Sequence, residues 1–308
     1  MKVKFWGVRG SIPSPGLSTC RYGGNTPCLE VRGKNGECII LDAGTGIRAL
    51  GLDLLKKGSP LPHIYLFISH THWDHIQGFP FFMPCYFPEN RISIKGPVHY
   101  LDAKNLKDTF DVQMQYDFFP ISNQQLAAGI DYDVLSETSL SIGSLQVTTQ
   151  FSNHPIRSLI YKITEEGLSM VYTGDHEPYY NLFDSGAGSQ GQESEDDLLF
   201  GDIDNTVDEA NGRFVDFIRG AGLVVADCQY TPEEYRETRR GWGHSSWDYC
   251  LDWMKQSGAK KMVLTHHDPN RSDDALDGIL EKIHTESSNL GIDPQNIILA
   301  AEGMEIEI

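Results

Sequence analysis

Three histidines and one aspartate fall within the stretch His-Thr-His-Trp-Asp-His at residues 70–75. Histidine accounts for only 11 of the 308 residues, so chance would produce such a cluster in about one chain of this kind in a thousand. In an extended segment His70 and His72 point to the same side, so both reach one ion. Asp74 and His75 follow in a turn and are available to a second ion. The spacing predicts a metal centre.

Three more residues of ligand type end apolar stretches elsewhere in the chain. His154 follows LQVTTQFSN, Asp175 follows SMVYTG and His266 follows KMVLT. Loops directly after strands are where rigid scaffolds display binding and catalytic groups. We therefore expect these residues to complete the site.

Imidazole combined with carboxylate suits zinc, manganese or iron better than calcium or magnesium. An aspartate between two ions about 4 Å apart would hold a hydroxide there, because such ions lower the pKa of bound water from about 16 to about 7. Asp42 in LDAG and Asp227 in VVAD also end apolar runs. Each is interpreted either as an acceptor that orients a ligand histidine or as a turn or helix cap.

The elements that position these residues are strands mixed with helices. Short apolar runs rich in β-branched residues predict buried strands, and periodic segments that end at glycine predict helices. The predicted strands are 3–8, 38–44, 64–70, 145–154, 169–175, 223–227, 261–266 and 296–303, and the predicted helices are 47–58, 247–258 and 274–291. This mixture favours an α/β sandwich. No Pro/Gly/Ser-rich linker divides the chain, so we expect one domain over 1–308.

The chain is acidic, with 25 Lys and Arg against 43 Asp and Glu, a net charge of −18 and a sequence pI near 4.9. It lacks the basic stripe that is typical of nucleic-acid binding, which disfavours long nucleic acids but not a compact phosphate ligand. The six cysteines form no C-x-x-C pair, the N-terminus carries no apolar signal region, and no apolar run spans a bilayer. A cytoplasmic protein with reduced thiols and no membrane partner is expected.

Residues 184–212 carry nine acidic side chains and no Lys, Arg or His, which is half of the net charge. Its start, DSGAGSQGQESEDD, is typical of a solvated surface insertion. An acidic lid or a calcium-binding cluster is the alternative, although the EF-hand pattern is absent.

The ligand-type residues resemble the metallo-β-lactamase superfamily, and the similarity covers nearly the whole chain. The family motif HxHxDH matches residues 70–75, and the later family ligands match FSNHP, YTGDHEP and LTHHDP. The resemblance implies a four-layered αββα sandwich with the site at one edge of the paired sheets. It implies two divalent transition-metal ions, one bound by His70, His72 and His154, the other by Asp74, His75 and His266, and both bridged by Asp175. His267 competes for the last position, but His266 directly ends the strand, as in the family pattern.

Within the superfamily the phosphodiesterase branch fits best. GWGHSS at 241–246, with its histidine 22 residues before His266, is similar to the GHS motif of RNase Z and related phosphodiesterases. There a histidine near the metals assists departure of the leaving oxygen, which implies His244 as general acid. WGVRGSIPSPG, YGGNTPC and HHDPNRSDD resemble proteins described as cyclic-nucleotide-phosphodiesterase-like. Glycine-rich turns and nearby arginines are candidate phosphate contacts: Arg9, Ser11, Asn25, Thr26, Arg157 and Arg271.

The leading hypothesis is hydrolysis of a small cyclic nucleotide or cyclic dinucleotide. A metal-bridging hydroxide would attack in line, Asp74 would orient or deprotonate it, and His244 would protonate the departing oxygen. One alternative is RNA 3′ processing as in RNase Z, although the chain lacks a recognisable basic tRNA-binding arm. A metal-binding sensor or interaction module is the third. The sequence leaves a homodimer open.

Overall fold

The computed structural model describes residues 1–56, 58, 60–97, 105–181 and 195–308, and within these ranges it describes all side chains except those of 195–202. Fourteen strands of this described part form two seven-stranded sheets.

The first sheet has the order β14-β1-β2-β3-β4-β5-β6. Strands β3 to β6 run parallel, whereas β14, β1, β2 and β3 pair antiparallel. Its strands are β1 Lys2–Gly7, β2 Cys28–Arg32, β3 Cys38–Leu41, β4 Ile64–Phe67, β5 Arg91–Pro97, β6 Gly129–Leu135 and β14 Glu305–Glu307. The two ends of the chain are therefore neighbours in one sheet.

The second sheet has the order β13-β12-β11-β10-β9-β8-β7. Strands β10 to β13 run parallel, and β7 to β10 form an antiparallel meander. Its strands are β7 Ser139–Ile142, β8 Leu145–Phe151, β9 Leu159–Glu165, β10 Leu168–Tyr172, β11 Leu223–Asp227, β12 Met262–Thr265 and β13 Ile297–Leu299. Each sheet thus has a parallel half whose carboxyl ends share one edge.

The described part has seven α-helices. They are α1 Gly46–Lys56, α2 Trp73–Ile76, α3 Leu106–Gln113, α4 Glu195–Ile218, α5 Pro232–Glu234, α6 Trp247–Ser257 and α7 Asp273–Asn289. Of these, α1, α3, α4, α6 and α7 pack on the outer faces of the sheets. Helix α6 ends at Gly258, which adopts the left-handed φ of +66° that favours glycine. Helix α7 begins at Ser272, whose side chain accepts the amide of Ala275. No described helix is long and apolar enough to span a membrane.

Three apolar clusters show how the layers pack. The middle cluster joins the facing sides of the sheets, with Phe5 and Val31 from one and Tyr161 and Val225 from the other. An outer cluster packs α1 and α3 on the first sheet. The third packs α4, α6 and α7 on the second sheet. The order helix, sheet, sheet, helix confirms the expected αββα sandwich.

Part of the acidic stretch 184–212 forms a helix, which its composition did not indicate. Residues 184–194 lie outside the described residues, and 195–212 belong to helix α4 rather than to a loop. The helix continues to Ile218, and its last turns bury Phe214, Val215 and Ile218 against the second sheet. From 203 onward the acidic side chains of this helix are exposed, so the charge of this part of the helix faces solvent.

Candidate metal centre and active site

The ligand-type side chains converge at the carboxyl ends of the strands. His70 follows β4, His154 follows β8, Asp175 follows β10 and His266 follows β12. Parallel strands bring their carboxyl ends to the same edge, and loops leaving that edge form the usual ligand site of α/β sheets. All four side chains point into one buried cluster between the two sheets.

The first group of potential ligand atoms comes from His70, His72, His154 and Asp175, and these atoms lie within 4.8 Å of one another. His154 Nε2 is 3.0 Å from His72 Nδ1. Oδ2 of Asp175 is 3.4 Å from His70 Nε2 and 3.9 Å from His154 Nε2. This arrangement fits a single ion among three imidazoles and one carboxylate oxygen.

The second group comes from Asp74, His75, Asp175 and His266, again within 4.8 Å. Oδ1 of Asp175 is 3.2 Å from His75 Nε2 and 3.3 Å from His266 Nε2. His266 Nε2 is also 3.1 Å from Oδ2 of Asp74. Asp175 therefore turns one carboxylate oxygen toward each group, which is the geometry of a bridging ligand.

Two ligand histidines are oriented by acceptors on the far side of the ring. His75 Nδ1 lies 2.7 Å from Oδ2 of Asp42, and His154 Nδ1 lies 3.0 Å from the carbonyl of Gly243. A carbonyl only accepts, so His154 carries its proton on Nδ1 and presents the lone pair of Nε2 to the cluster. Asp42 has a left-handed φ of +63°, a strained backbone of the kind found at functional sites.

The buried carboxylates of the cluster fit the binding of cations. Asp42, Asp74, Asp175 and Asp227 are at most 5% exposed, and among the described residues only histidines lie within ion-pair distance of them. Burying an uncompensated carboxylate costs several kcal/mol. Although burial opposes protonation, Asp175 and Asp74 raise the pKa of His75 well above its usual range. A bound metal ion would supply that positive charge instead of a proton.

Other features of the cluster also fit metal ions. Burial, with a contribution from His70, lowers the pKa of His72 to about 4 and that of His154 to about 2, so both rings are neutral at pH 7, as ligands must be. In the described part of the chain, buried Nε2 of His70, Nε2 of His75 and Oδ1 of Asp175 have no hydrogen-bond partner. Buried polar atoms of this kind are rare in proteins unless a ligand satisfies them.

His244 lies beside both groups of ligand atoms. Its Nδ1 is 3.0 Å from Oδ2 of Asp227 and 3.8 Å from Oδ2 of Asp175. Its ring stacks on that of His266, with the centroids 4.7 Å apart. Burial disfavours the charged ring, but Asp227 and Asp175 outweigh it and raise the pKa of His244 to about 9. A histidine in this state holds a proton at neutral pH.

The loop that carries His244 is fixed by a residue that our sequence analysis did not identify. Glu177 is 3% exposed and accepts hydrogen bonds from the amides of Gly241, at 2.6 Å, and Gly243, at 2.8 Å. It also accepts the hydroxyl of Tyr235 at 2.9 Å. Gly243 has a φ of +88°, and a Cβ there would lie 2.4 Å from His154 Nδ1. The acidic residue in YTGDHEP was the only signal in the sequence.

Most of the predicted phosphate contacts are engaged in other interactions. Arg9 is fully buried, and its guanidinium donates to the carbonyls of Gly23, Asp268 and Arg271. This arrangement corrects the expectation for Arg9, because a guanidinium enclosed by carbonyls stabilises loops and has no surface to offer a phosphate. Arg271 pairs with Glu234, with the nearest atoms 2.7 Å apart.

The remaining candidates differ in their distance from the cluster. Asn25 donates its side-chain amide to Glu302, and the buried hydroxyl of Thr26 accepts the amide of Thr45; both contacts are structural. The guanidinium of Arg157 lies over the ring of Phe151. Only Ser11 touches the site, because its amide donates to Oδ2 of Asp74 at 2.7 Å.

His267, the competing candidate for the last ligand, points away from the cluster. Its Nε2 lies 2.9 Å from the carbonyl of Ala300, and its ring packs edge-on against Tyr22. His266 is the histidine that the structure brings to the ligand groups.

Comparison with known proteins defines the class. A family model described as the metallo-beta-lactamase superfamily matches residues 21–266, and the chain belongs to that superfamily of hydrolases. Ribonuclease Z of Haloarcula marismortui is 21% identical over 99% of this chain and 96% of its own length. The metallo-beta-lactamase fold protein YhfI from Bacillus subtilis has a TM-score of 0.65 at 16% identity, covering 100% of this chain and 99% of its own. The short form of human tRNase Z has a TM-score of 0.61 at 20% identity, covering 100% and 99%.

Proposed function

We propose that this hydrolase is a phosphodiesterase that uses two transition-metal ions, zinc or manganese or else iron, to cleave a small cyclic nucleotide or cyclic dinucleotide. The observation that carries the proposal is the position of His244. Its Nδ1 lies 3.0 Å from Oδ2 of Asp227 and 3.8 Å from the carboxylate shared by both ligand groups, and although burial lowers its pKa, these two carboxylates raise it to about 9. A proton donor beside two metal positions suits a reaction in which an alkoxide leaves.

The ions would be held as the geometry of the two groups suggests, with Asp175 between them. Bound there, they would polarise the phosphoryl oxygens and lower the pKa of water so that it attacks at neutral pH. The chain's own residues would do the rest. Asp74, fixed by the amide of Ser11, would orient the attacking water and accept its proton.

His244 would donate its Nε2 proton to the departing ribose oxygen. Its Nδ1 faces Oδ2 of Asp227 at 3.0 Å, which fixes the ring orientation and stabilises the charged form. Asp227 also lies near the second ligand group, with Oδ1 3.8 Å from His266 Nδ1. The same buried carboxylate would thus hold the proton donor and place its negative charge near a residue of the second ligand group.

RNA 3′ processing is the second candidate, because a relative that aligns over nearly the whole chain is called ribonuclease Z. The net charge of −18 disfavours it, since long polyanions bind by neutralising their phosphates with cations. A small diester would meet mainly the local positive charge of the ions. The third candidate, a metal-binding sensor, is disfavoured by a proton donor placed for turnover.

One panel of substrates tests the proposal. Protein loaded with Mn²⁺ or Zn²⁺ should hydrolyse 3′,5′-cyclic nucleotides or cyclic dinucleotides and should cleave precursor tRNA poorly at physiological salt. Efficient tRNA cleavage with inert cyclic nucleotides would establish the second candidate instead. No turnover of any phosphodiester, with metal fully bound, would favour the sensor.

A further inference from the structure

The loop between α5 and α6 displays a tryptophan beside the site. Trp242 lies between Gly241 and Gly243, whose amides are both held by the buried carboxylate of Glu177. The two glycines have φ values of +89° and +88°, so this backbone path favours glycine on either side. The indole itself is 56% exposed. A rigid backbone therefore presents a large apolar ring to solvent.

A positive charge accompanies this ring. The guanidinium of Arg239 lies 4.3 Å from the centroid of Trp242, and the Trp242 amide donates to the Arg239 carbonyl. Of the neighbouring arginines, Arg236 pairs with Asp248 and Arg240 lies over Tyr180. Among the described residues no carboxylate lies within ion-pair distance of Arg239. In a chain of net charge −18, Arg239 therefore keeps a positive charge that no described carboxylate neutralises.

The backbone next to this pair reaches the cluster, because the carbonyl of Gly243 accepts from His154 Nδ1. Trp242 precedes His244 by two residues, and the ring of Tyr230 is 5.8 Å from the ring of His244. Burial raises the pKa of the Tyr230 phenol, and the charge of Arg239 offsets part of that rise. Arg239 is therefore close to Tyr230. The departing group of a bound phosphodiester would lie near His244, because His244 is the proposed proton donor to it.

A second exposed indole lies next to the ligands. Trp73 is 64% exposed and stands between His72 and Asp74. The chain has five tryptophans, all in the described part, and the other three are buried or half-buried. Large apolar groups left in water usually mark a binding surface when they gather at one place. Both exposed tryptophans are chain neighbours of the proposed reaction centre.

We propose that the Arg239–Trp242 pair is a base-recognition element: Trp242 stacks on the nucleobase of the substrate, and Arg239 attracts its phosphate charge. This inference rests on the proposed function, because it assigns the nucleoside part of the same substrate. Every base has a flat aromatic face, so stacking accepts purines and pyrimidines alike. A tolerance for several bases follows.

Binding tests the inference without requiring turnover. Affinities of the metal-loaded protein for adenosine 5′-monophosphate and for ribose 5-phosphate are measured by calorimetry. Trp242→Ala should weaken adenosine monophosphate by about 5- to 150-fold, the usual worth of one base stack, and leave ribose phosphate unchanged. Trp242→Phe should retain most of the affinity, and Arg239→Gln should weaken both ligands. Leu168→Ala serves as the control. It truncates an exposed apolar side chain at the start of β10, the end of that strand opposite to Asp175.

Hydrolysis provides the second readout. With adenosine 3′,5′-cyclic phosphate, Trp242→Ala should raise KM and leave kcat unchanged, and with the base-free sugar cyclic phosphate neither constant should change. Equal losses on the two substrates, or unchanged binding of adenosine monophosphate, would overturn the inference. If the wild-type protein hydrolyses no cyclic nucleotide or cyclic dinucleotide of the panel, the proposed function fails, and the binding comparison still decides the role of Trp242.

Discussion

Asp175 directs its two oxygens toward different sets of histidines. On the far side of their rings, His75 and His154 already have hydrogen-bond partners. Oδ2 faces His70, Oδ1 faces His75, and the far nitrogen of His75 is held by Asp42. Among the described atoms, Nε2 of His70, Nε2 of His75 and Oδ1 of Asp175 are buried in the cluster without a hydrogen-bond partner. At the scale of single residues the site is therefore built to bind ions through atoms that the fold orients in advance.

Replacing His72 tests this arrangement. His72→Ala removes one imidazole from the first group, so the protein should retain less metal and lose activity in parallel. Metal analysis of protein purified without chelator should give about two equivalents for the wild type and fewer for the variant. His284→Ala is the control, because that half-buried histidine bonds the carbonyl of Ile297 on β13. Full activity in a variant that has lost metal would contradict the account.

Replacing His244 should have a different signature. His244→Ala should keep its metal but lose about 10²- to 10⁴-fold in kcat on substrates with a poor leaving group, because the proton donor is gone. On a nitrophenyl diester the loss should be small, since nitrophenolate departs without a proton. An equal loss on both kinds of substrate would contradict the role of proton donor.

The pH profile follows from the same residue. His244 has a raised pKa of about 9, so its proton is present at neutral pH and is lost as the pH rises through that value. For a cyclic nucleotide, kcat should fall with one alkaline limb near pH 9. The limb should be absent with the nitrophenyl diester, and its presence on both substrates would assign it to another group.

Residue types and spacing predicted the metal cluster better than the phosphate contacts. His70, His72 and His75 are close in sequence, and the motif alone indicates what they bind. Arg9 could not be interpreted in this way, because two of the three residues whose carbonyls occupy it are 259 and 262 positions away. Local sequence reports the type of a side chain, whereas its availability depends on contacts made only in the fold.

At the scale of elements, the loop 241–246 contributes both to the ligand cluster, through His154, and to the proposed proton donation, through His244. The carbonyl of Gly243 orients His154, and the next residue is His244. Glu177 holds this loop through two amides. It is a positioning residue, because it acts on the reaction only through the side chains that the loop presents.

Glu177→Gln tests that role. The amide nitrogen of glutamine would face the N–H of Gly243, two donors would oppose each other, and the loop would shift. Substitution of such supporting residues typically costs about 10- to 100-fold in activity or metal affinity. We expect a loss in kcat that is larger for poor leaving groups than for nitrophenolate, as for His244→Ala. A purely structural defect would lower both rates alike.

Glu233→Gln provides the matched control. Glu233 lies in α5 of the same connecting segment and is exposed, so its substitution should leave both rates unchanged. If it lowers them as Glu177→Gln does, the segment as a whole rather than the buried carboxylate is responsible.

Strands with continuous apolar runs were predictable, and edge elements were not. Strand β11, LVVAD, is buried at all five positions. Its bounds are those that the sequence predicted. Strand β6, GIDYDVL, lies at an edge and is largely exposed, so it carries no such run. Helix α4 escaped prediction because its first half is acidic and, from residue 203 onward, only Phe214, Val215 and Ile218 near its end are buried. Sequence patterns indicate which strands are buried, and they do not indicate which strands pair with each other.

At the scale of the whole molecule, charge distinguishes small substrates from long ones. Arg9 is buried among backbone carbonyls, Arg271 pairs with Glu234, and the net charge is −18. Residual cleavage of precursor tRNA should therefore rise as salt increases from about 50 to about 200 mM, because salt screens the repulsion. A protein that binds RNA through released counterions shows the opposite and steep dependence. That steep fall would indicate a basic RNA-binding surface.

The most direct test of the central claim is a metal titration of activity. Protein stripped by chelator is given zero to four equivalents of Zn²⁺ or Mn²⁺, and hydrolysis of a cyclic nucleotide is measured at each point. The two ligand groups that share Asp175 predict no activity without metal and a rise that reaches its plateau at two equivalents per chain. Full activity in the metal-free protein would contradict the account, and so would the absence of hydrolysis at every metal content.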